Sequence, residues 1–498
     1  MPGRHASKVA TLLLGAGMVL GALGASVAIA SSSMSLLLAA LGAMGGAAFA
    51  LITRDLHRPM LAAVFFLAPI DVSKAVIAPL VSRYYPAGPF YSPGLYLSLA
   101  HMALVALLVL WLGRRALFDR RWPPMTGLDW LAFGYMAFIW IRSIGADQGV
   151  LSLGSAASYS LAVLGFYAAS HAIRDTSDLR LVLQTSVAVL LLSLVFVLLQ
   201  SATQRPLQLP GSKALAFGAT VDFGGGVATY RPSGFMNHPN SLAHYVVVTF
   251  PPALALALLG PRRLPLRVWW FSVLLAGAAA LMLLVTLSRG GWASAALAAT
   301  VVVAVYARKG LITPRQLGIA AVAMVLGAFV LVIVYPTVLL RLTAPDNRSL
   351  ESRVLLADMA FTIIQANPLA GIGFGDYNRA SFAYTAPLYA TVSADYQLAL
   401  DQLVVHNHFL LVAAELGVPA MLFFIYLLWR FARLPFPLSR WRDPATFAIA
   451  IGLAAAVIGE TLFFNSDNYY ADIRIFMFWL AAGLLQSIVL QTDRERNA

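Results

Sequence analysis

The chain has 498 residues, 60% hydrophobic and only 11% charged, where a soluble domain carries about a quarter charged residues. That composition excludes a soluble globular protein and points to a polytopic membrane protein, and the absence of cysteine excludes disulfides and thiolate metal sites. The net charge of +13 would suggest nucleic acid in a soluble protein; here it is expected to reflect lysine and arginine gathered in cytoplasmic loops, with no nucleic-acid partner.

Many apolar stretches approach the roughly 18–20 residues that cross a bilayer. They predict about fourteen transmembrane helices, at 9–30, 34–53, 59–80, 94–113, 127–145, 150–172, 180–200, 240–260, 268–287, 291–307, 316–336, 406–429, 444–464 and 473–491. Basic residues precede the first, and Ala28-Ile29-Ala30 resembles a cleavage site, but its apolar region is long for a signal peptide and it is read as a span. Alternating the spans from a cytoplasmic N-terminus puts TRDLHR, GRRALFDRRW, IRDTSDLR, PRRLPLR, ARKGLITPR, WRFARLPFPLSRWR and TDRERNA on one side. Short basic loops mark the cytoplasm, so both termini are expected inside and two long loops, 201–239 and 337–405, outside. The second is too long for a mere connection and is expected to be functional. It holds an amphipathic helix, SLESRVLLADMAFTIIQ at 349–365, ended by Asn367-Pro368.

In the third span, Asp71 and Lys74 stand one helical turn apart and read as a structural ion pair. Three later stretches meet the outer face. In YRPSGFMNHPNSLAH (230–244), Arg231 can pair two-pronged with a phosphate, prolines stiffen the chain around Gly234, and Asn240 or Ser241 suits a helix cap. A solvated arginine in an ordered loop is the bland alternative.

In LSRGGWAS, the following span runs inward, so its N-terminal amides and positive dipole end point outward. Gly290 and Gly291 let another group approach that backbone, and Arg289 adds a full charge. Together these make an anion site; a hairpin whose arginine snorkels to headgroups fits the same residues, and the sequence leaves both open.

In HNHFLLVAAELGVPA, His406 is expected in the first turn of an inward-running span, where the dipole favours a neutral ring able to accept a proton. Gly417, about three turns on, is expected to lie below it and admit a neighbouring helix. His408 shares a face with Glu415, a carboxylate that inside a span is costly and usually paired or functional. Arg353, on the loop helix, is a further phosphate candidate beside Glu351 and Arg341. No outer loop carries an Asp-x-Asp pair, and neither histidine has acidic partners at zinc-site spacing. A diphosphate ligand would therefore be neutralised by arginines and helix amides, with no metal or other cofactor.

With RPSGFMNHPNSLA, TLSRGGW, NPLAGIGFGDYN and HNHFLLVAAELGVPA in that order, the chain resembles the O-antigen ligase and O-antigen polymerase superfamily over roughly residues 180–430. The resemblance implies an all-α, GT-C-like helical bundle in the bacterial inner membrane, divided into N-terminal helices (1–175), a family core (176–435) and C-terminal helices with a short tail (436–498). It also implies inverting transfer of a glycan from undecaprenyl diphosphate to an acceptor hydroxyl at the periplasmic face. The family's catalytic histidine falls on His406, and its diphosphate-binding arginines fall on Arg231 and Arg289, with Arg353 a weaker match. Gly290 joins that diphosphate site, and Asn407, His408, His238 and Asn240 are expected in support. Ala420 departs from the ligase pattern, which has Gly, Thr or Tyr there, so a polymerase is slightly preferred over a ligase acting on lipid A-core or protein. Expected partners are the lipid-linked donor, a glycan or lipid acceptor, and chain-length regulators or flippases. A lipid-linked oligosaccharide flippase is the competing class, but it would keep its polar groups near the midplane.

Overall fold

The computed structural model describes residues 56–77, 93–120, 122–207, 220–222, 228–313, 336–343, 347–389, 404–468 and 473–497, with isolated positions between them. The first two expected spans, and the one at 316–336, lie outside the described residues. In chain order the elements are α1 (His57–Leu67), β1 (Ser73–Ile77), β2 (Leu95–Ser98), α2 (Leu99–Arg114), α3 (Gly127–Ile144), α4 (Val150–His171) and α5 (Thr176–Thr203). Then come β3 (Thr220–Asp222), β4 (Ala228–Tyr230), α6 (Pro239–Leu259), α7 (Leu266–Val285), α8 (Arg289–Arg308), α9 (Thr337–Thr343) and α10 (Asn347–Ala366). The last are α11 (Tyr377–Tyr389), α12 (His408–Leu416), α13 (Val418–Ala432), α14 (Pro444–Phe463) and α15 (Ile473–Asn497).

Local chemistry starts these helices. Thr126 and Asp129 form a reciprocal capping box on α3, Asp175 accepts from the Ser177 and Asp178 amides on α5, and Asp443 caps α14 ahead of Pro444. Among the described residues, eight helices are long and apolar enough to cross a membrane: α2 with the π turn that follows it, α4, α5, α6, α7, α8, α14 and α15. The protein is a mostly helical, multi-pass membrane protein.

Three expectations are corrected. The fold is not purely helical, because β1–β2 and β3–β4 form two small antiparallel ribbons. The span expected at 59–80 is a helix of 11 residues that stops at Leu67. Proline has no amide to donate and restricts the residue before it, and at Ala68-Pro69 the chain turns into β1. Asp71 and Lys74 are therefore not helical neighbours; Asp71 is buried, its amide donating to the Phe235 carbonyl, and Lys74 is exposed on the ribbon. The span expected at 406–429 is broken at Gly417 into α12 and α13.

The core is built around α15, whose membrane-length window is 94% buried, against 28% for α5. Gly483 on α15 sits where a Cβ would run into the Phe166 carbonyl of α4, and Gly459 on α14 faces the Ser294 carbonyl of α8. In lipid, apolar side chains gain little by facing each other, so close packing at small residues drives helix association. Trp479, Phe166 and Phe431 lock the centre with ring separations of 5.4–5.7 Å. Helices α5 and α7 turn Leu191, Leu198, Trp270 and Leu274 outward, as helices facing lipid do.

Candidate active site

The N-termini of α6, α8, α12 and α15 and the C-terminus of α14 meet at one end of the bundle. Arg231 is delivered there by a clamped loop. Gln200, at the end of α5, accepts from the Ser233 and Gly234 amides and donates to the Gly234 carbonyl, holding the RPSG turn. Arg231 itself is only 6% exposed; its Nε donates to the Thr286 carbonyl (2.7 Å) and its Nη2 to Asn240 Oδ1 (2.9 Å). His238, not Asn240 or Ser241, caps α6, its Nδ1 accepting from the Asn240 amide. Burial, with positive Arg231 adding to it, lowers the His238 pKa to about 3, so this ring stays neutral.

The turn that accepts Arg231 is the link between α7 and α8. Leu287, fully buried, holds φ +52 there, a conformation costing on the order of 1–3 kcal/mol for a side-chain-bearing residue. Arg341 of α9 donates from Nε to the Leu287 carbonyl (3.2 Å), so two guanidiniums grip consecutive carbonyls of one strained turn. Arg289 follows at the head of α8, exposed. The close approach at the paired glycines is made by protein: Gly290 packs on Ser466 and Phe463, Gly291 on Ala243 and Leu283.

His406 does not lie in a first helical turn. Asn407 is the cap of α12, accepting from the Leu410 amide, and the helix begins at His408. The histidine segment is instead stitched to the loop after α14. The His408 amide donates to the Phe464 carbonyl (2.7 Å), and Asn468 Nδ2 donates to the Val405 carbonyl (3.2 Å). His408 turns inward between Phe424 and Phe464, whereas the His406 side chain keeps 19% exposure.

Asp467, in that same loop, joins these parts. Its Oδ2 accepts from Arg474 Nη1 (3.1 Å) and Asn240 Nδ2 (3.3 Å), and its Oδ1 accepts from the Asn468 amide (2.9 Å) and stands 3.5 Å from His406 Nδ1. Burial would push this carboxyl up; Arg474 and the nearby His244 and His406 rings outweigh it and hold Asp467 well below the usual carboxylate range. Chemically, an imidazole with Nδ1–H toward Asp467 leaves Nε2 as a proton acceptor, beside arginines that can meet an anion.

The GIGFGDYN motif sets the depth of α12. Gly371 and Gly417, both at positive φ, pass where a Cβ would strike the other segment's backbone, and the Val418 amide donates to the Pro368 carbonyl (2.8 Å). Gly417 therefore admits this loop backbone and not a neighbouring helix. Glu415 pairs with the same platform, its carboxylate accepting from the Tyr377 amide (3.2 Å). Asp376 pins the platform to the α3–α4 loop by accepting from the Asp147 and Gln148 amides.

Of the expected residues, Arg231, Asn240, His238 and His406 share one network, and Asn407 and His408 position it. Arg289 and Gly290 lie at the adjoining helix head, and Arg353 is exposed on α10. Sequence reading missed Asp467 and Arg474, and took Arg341 only as a neighbour of Arg353. Asp467 was findable: FNSDNYYADIR is a polar run between two apolar spans, on the side where alternation puts His406.

Residues 271–425, from α7 into α13, match the O-antigen ligase family. That match supports a place in the O-antigen ligase and polymerase superfamily and implies a glycosyltransferase-type enzyme. The matched stretch contains Arg289, Gly290, Arg353 and His406, while Arg231 and Asp467 lie outside it. A comparison with curated proteins gives no match.

Proposed function

We propose that the protein transfers a glycan from undecaprenyl diphosphate to an acceptor sugar hydroxyl at the periplasmic face of the inner membrane. The observation that carries this reading is the chain of contacts from His406 through Asp467 and Asn240 to Arg231, at 3.5, 3.3 and 2.9 Å. It couples a proton acceptor to a fixed positive charge, the two functions the reaction needs.

Asp467 holds His406 Nδ1–H, and His406 Nε2 takes the acceptor hydroxyl proton as the oxygen attacks the anomeric carbon. The bond from that carbon to the diphosphate oxygen breaks, and undecaprenyl diphosphate leaves with the electron pair. One displacement inverts the anomeric centre. Arg231, Arg289 and the amides at the head of α8 meet the growing charge. General-base help is worth about 10²–10⁴ in rate, and preorganised charge often contributes more. A cavity of about 190 Å³ beside α6, lined by Phe65, Leu190, Val248, Ala253, Leu275 and Leu453, supports a donor with an apolar tail.

Ala420 favours a polymerase, in which the acceptor is a second carrier-linked chain; the matched family's description favours a ligase. Purified protein in proteoliposomes, given lipid-linked repeat units alone, separates them. Chain lengthening supports the polymerase, whereas reaction only on adding a separate acceptor supports the ligase. No transfer under either condition refutes the proposal.

A further inference from the structure

The cluster continues past Asp467 into the bundle. Asn240 and His244 are one turn apart on α6, and both point at Asp467 Oδ2, His244 Nε2 from 3.8 Å. The other ring nitrogen, Nδ1, lies 2.9 Å from Glu460 Oε2 on α14. His244 is stacked on Phe463, with ring centroids 3.6 Å apart, which holds the plane of the ring between the two carboxylates. Side-chain exposures are 2% for His244, 1% for Glu460 and 5% for Asp467.

We propose that Glu460 and His244 are positioning residues that share one proton and, through Asp467, set the charge that the His406 base faces. This rests on the transfer reading above.

The geometry leaves two ways to hold that proton. Placed on the ring, it makes an imidazolium that donates to both carboxylates; placed on Glu460, it donates to Nδ1 while Nε2–H still points at Asp467. Either way Asp467 faces a donor. Loss of the proton leaves two buried carboxylates on one neutral imidazole, and a lone pair turns toward one of them. Buried like charges on one site resist joint ionisation, so the pair titrates as a unit. The other charged or titratable groups around it are Arg474 on α15, His408 on α12, Arg289 at the head of α8, and Arg231, His238 and His406 across the cluster. Helix α7 brings none to this end; its one titratable side chain, Arg267, is at the far end.

The test uses full-length enzyme in proteoliposomes with lipid-linked donor. Wild type is expected to show a limb in the pH dependence of kcat that E460Q lacks, with kcat lowered by about 10–100-fold, a part of the roughly 10²–10⁴ a general base contributes, and the donor KM unchanged. H244Q combined with E460Q should cost no more than either alone, because the two act as one unit. Infrared titration reads the same pair without turnover: a pH-dependent carboxylate–imidazole signal should vanish in E460Q and persist, displaced, in E460D. An unchanged pH profile in E460Q, or multiplicative losses in the double variant, overturns the role while leaving glycan transfer standing. A wild type that titrates as described yet transfers nothing refutes the transfer reading, and the role with it.

Discussion

Two buried imidazole–carboxylate pairs pack beside the central helix α15, one near its middle and one near its start. Gln486 marks one and Arg474 the other, twelve residues or about 18 Å of helix apart. At the first, His171 Nε2 meets Asp129 Oδ2 at 2.9 Å, and the remaining Asp129 lone pairs take the Gln486 side chain and the Thr126 amide. Among the described residues, the donors there come from α3 and its cap, α4 and α15. At the second, His244 meets Glu460 at the same 2.9 Å, but the chain runs on through Asp467 to a histidine that touches solvent. The pairs are chemically alike. Connection to an exposed imidazole and a fixed cation separates a staple from a site.

Seven substitutions break or sharpen that comparison, from the largest expected effect to the smallest. His406→Ala should abolish glycan transfer with protein level and lipid-linked donor intact, while His171→Ala should lower protein level and spare the specific rate of what folds. Transfer assays normalised to folded protein read both, and normal output from the His406 variant would end the proposed chemistry. Asp467→Asn should remove the orientation of His406 and leave Arg474 without its carboxylate, a loss of about 3–5 kcal/mol in a buried pair together with collapse of kcat. Asp129→Asn should cost stability alone. Melting curves beside kcat distinguish them.

Arg231→Lys replaces the planar fork that reaches Thr286 and Asn240 from two nitrogens with a single one, so donor KM should rise by roughly tenfold, in keeping with about 1.5 kcal/mol for one charged hydrogen bond. Arg289→Lys, exposed at the helix head, should show a smaller rise, and an unchanged KM there would mark it as a headgroup contact. The smallest effect is a slope. His238, with its pKa lowered to about 3, takes a proton in the unfolded chain before the folded one. Stability should therefore fall as pH drops from the ordinary imidazole range toward 3, because the unfolded state binds more protons. His238→Asn keeps the cap and should flatten that slope in detergent melting curves.

Most helix positions were legible in the sequence because a membrane span has to satisfy its backbone internally and expose apolar side chains, which writes a long signal into the chain. The helix at 349–365 was legible too, and the structure gives it as Asn347–Ala366. What failed was local. A proline after α1 and a glycine at positive φ before α13 interrupt apolar runs whose hydropathy does not change. His406 was singled out by its motif, but its surroundings were misjudged, since whether a histidine sits before or after a cap turns on one hydrogen bond, from the Leu410 amide to Asn407.

The sequence by itself determined that this is a membrane bundle, and that arginine and histidine gather in the segments joining its spans. Those follow from composition and from distances along the chain. Only the tertiary structure decided which of them act together: Asp467 is 61 residues beyond His406 and 227 beyond Asn240, and nothing in spacing links them. The close helix contacts at small residues bring these positions to one end, and a buried carboxylate, which must find donors, ties them together.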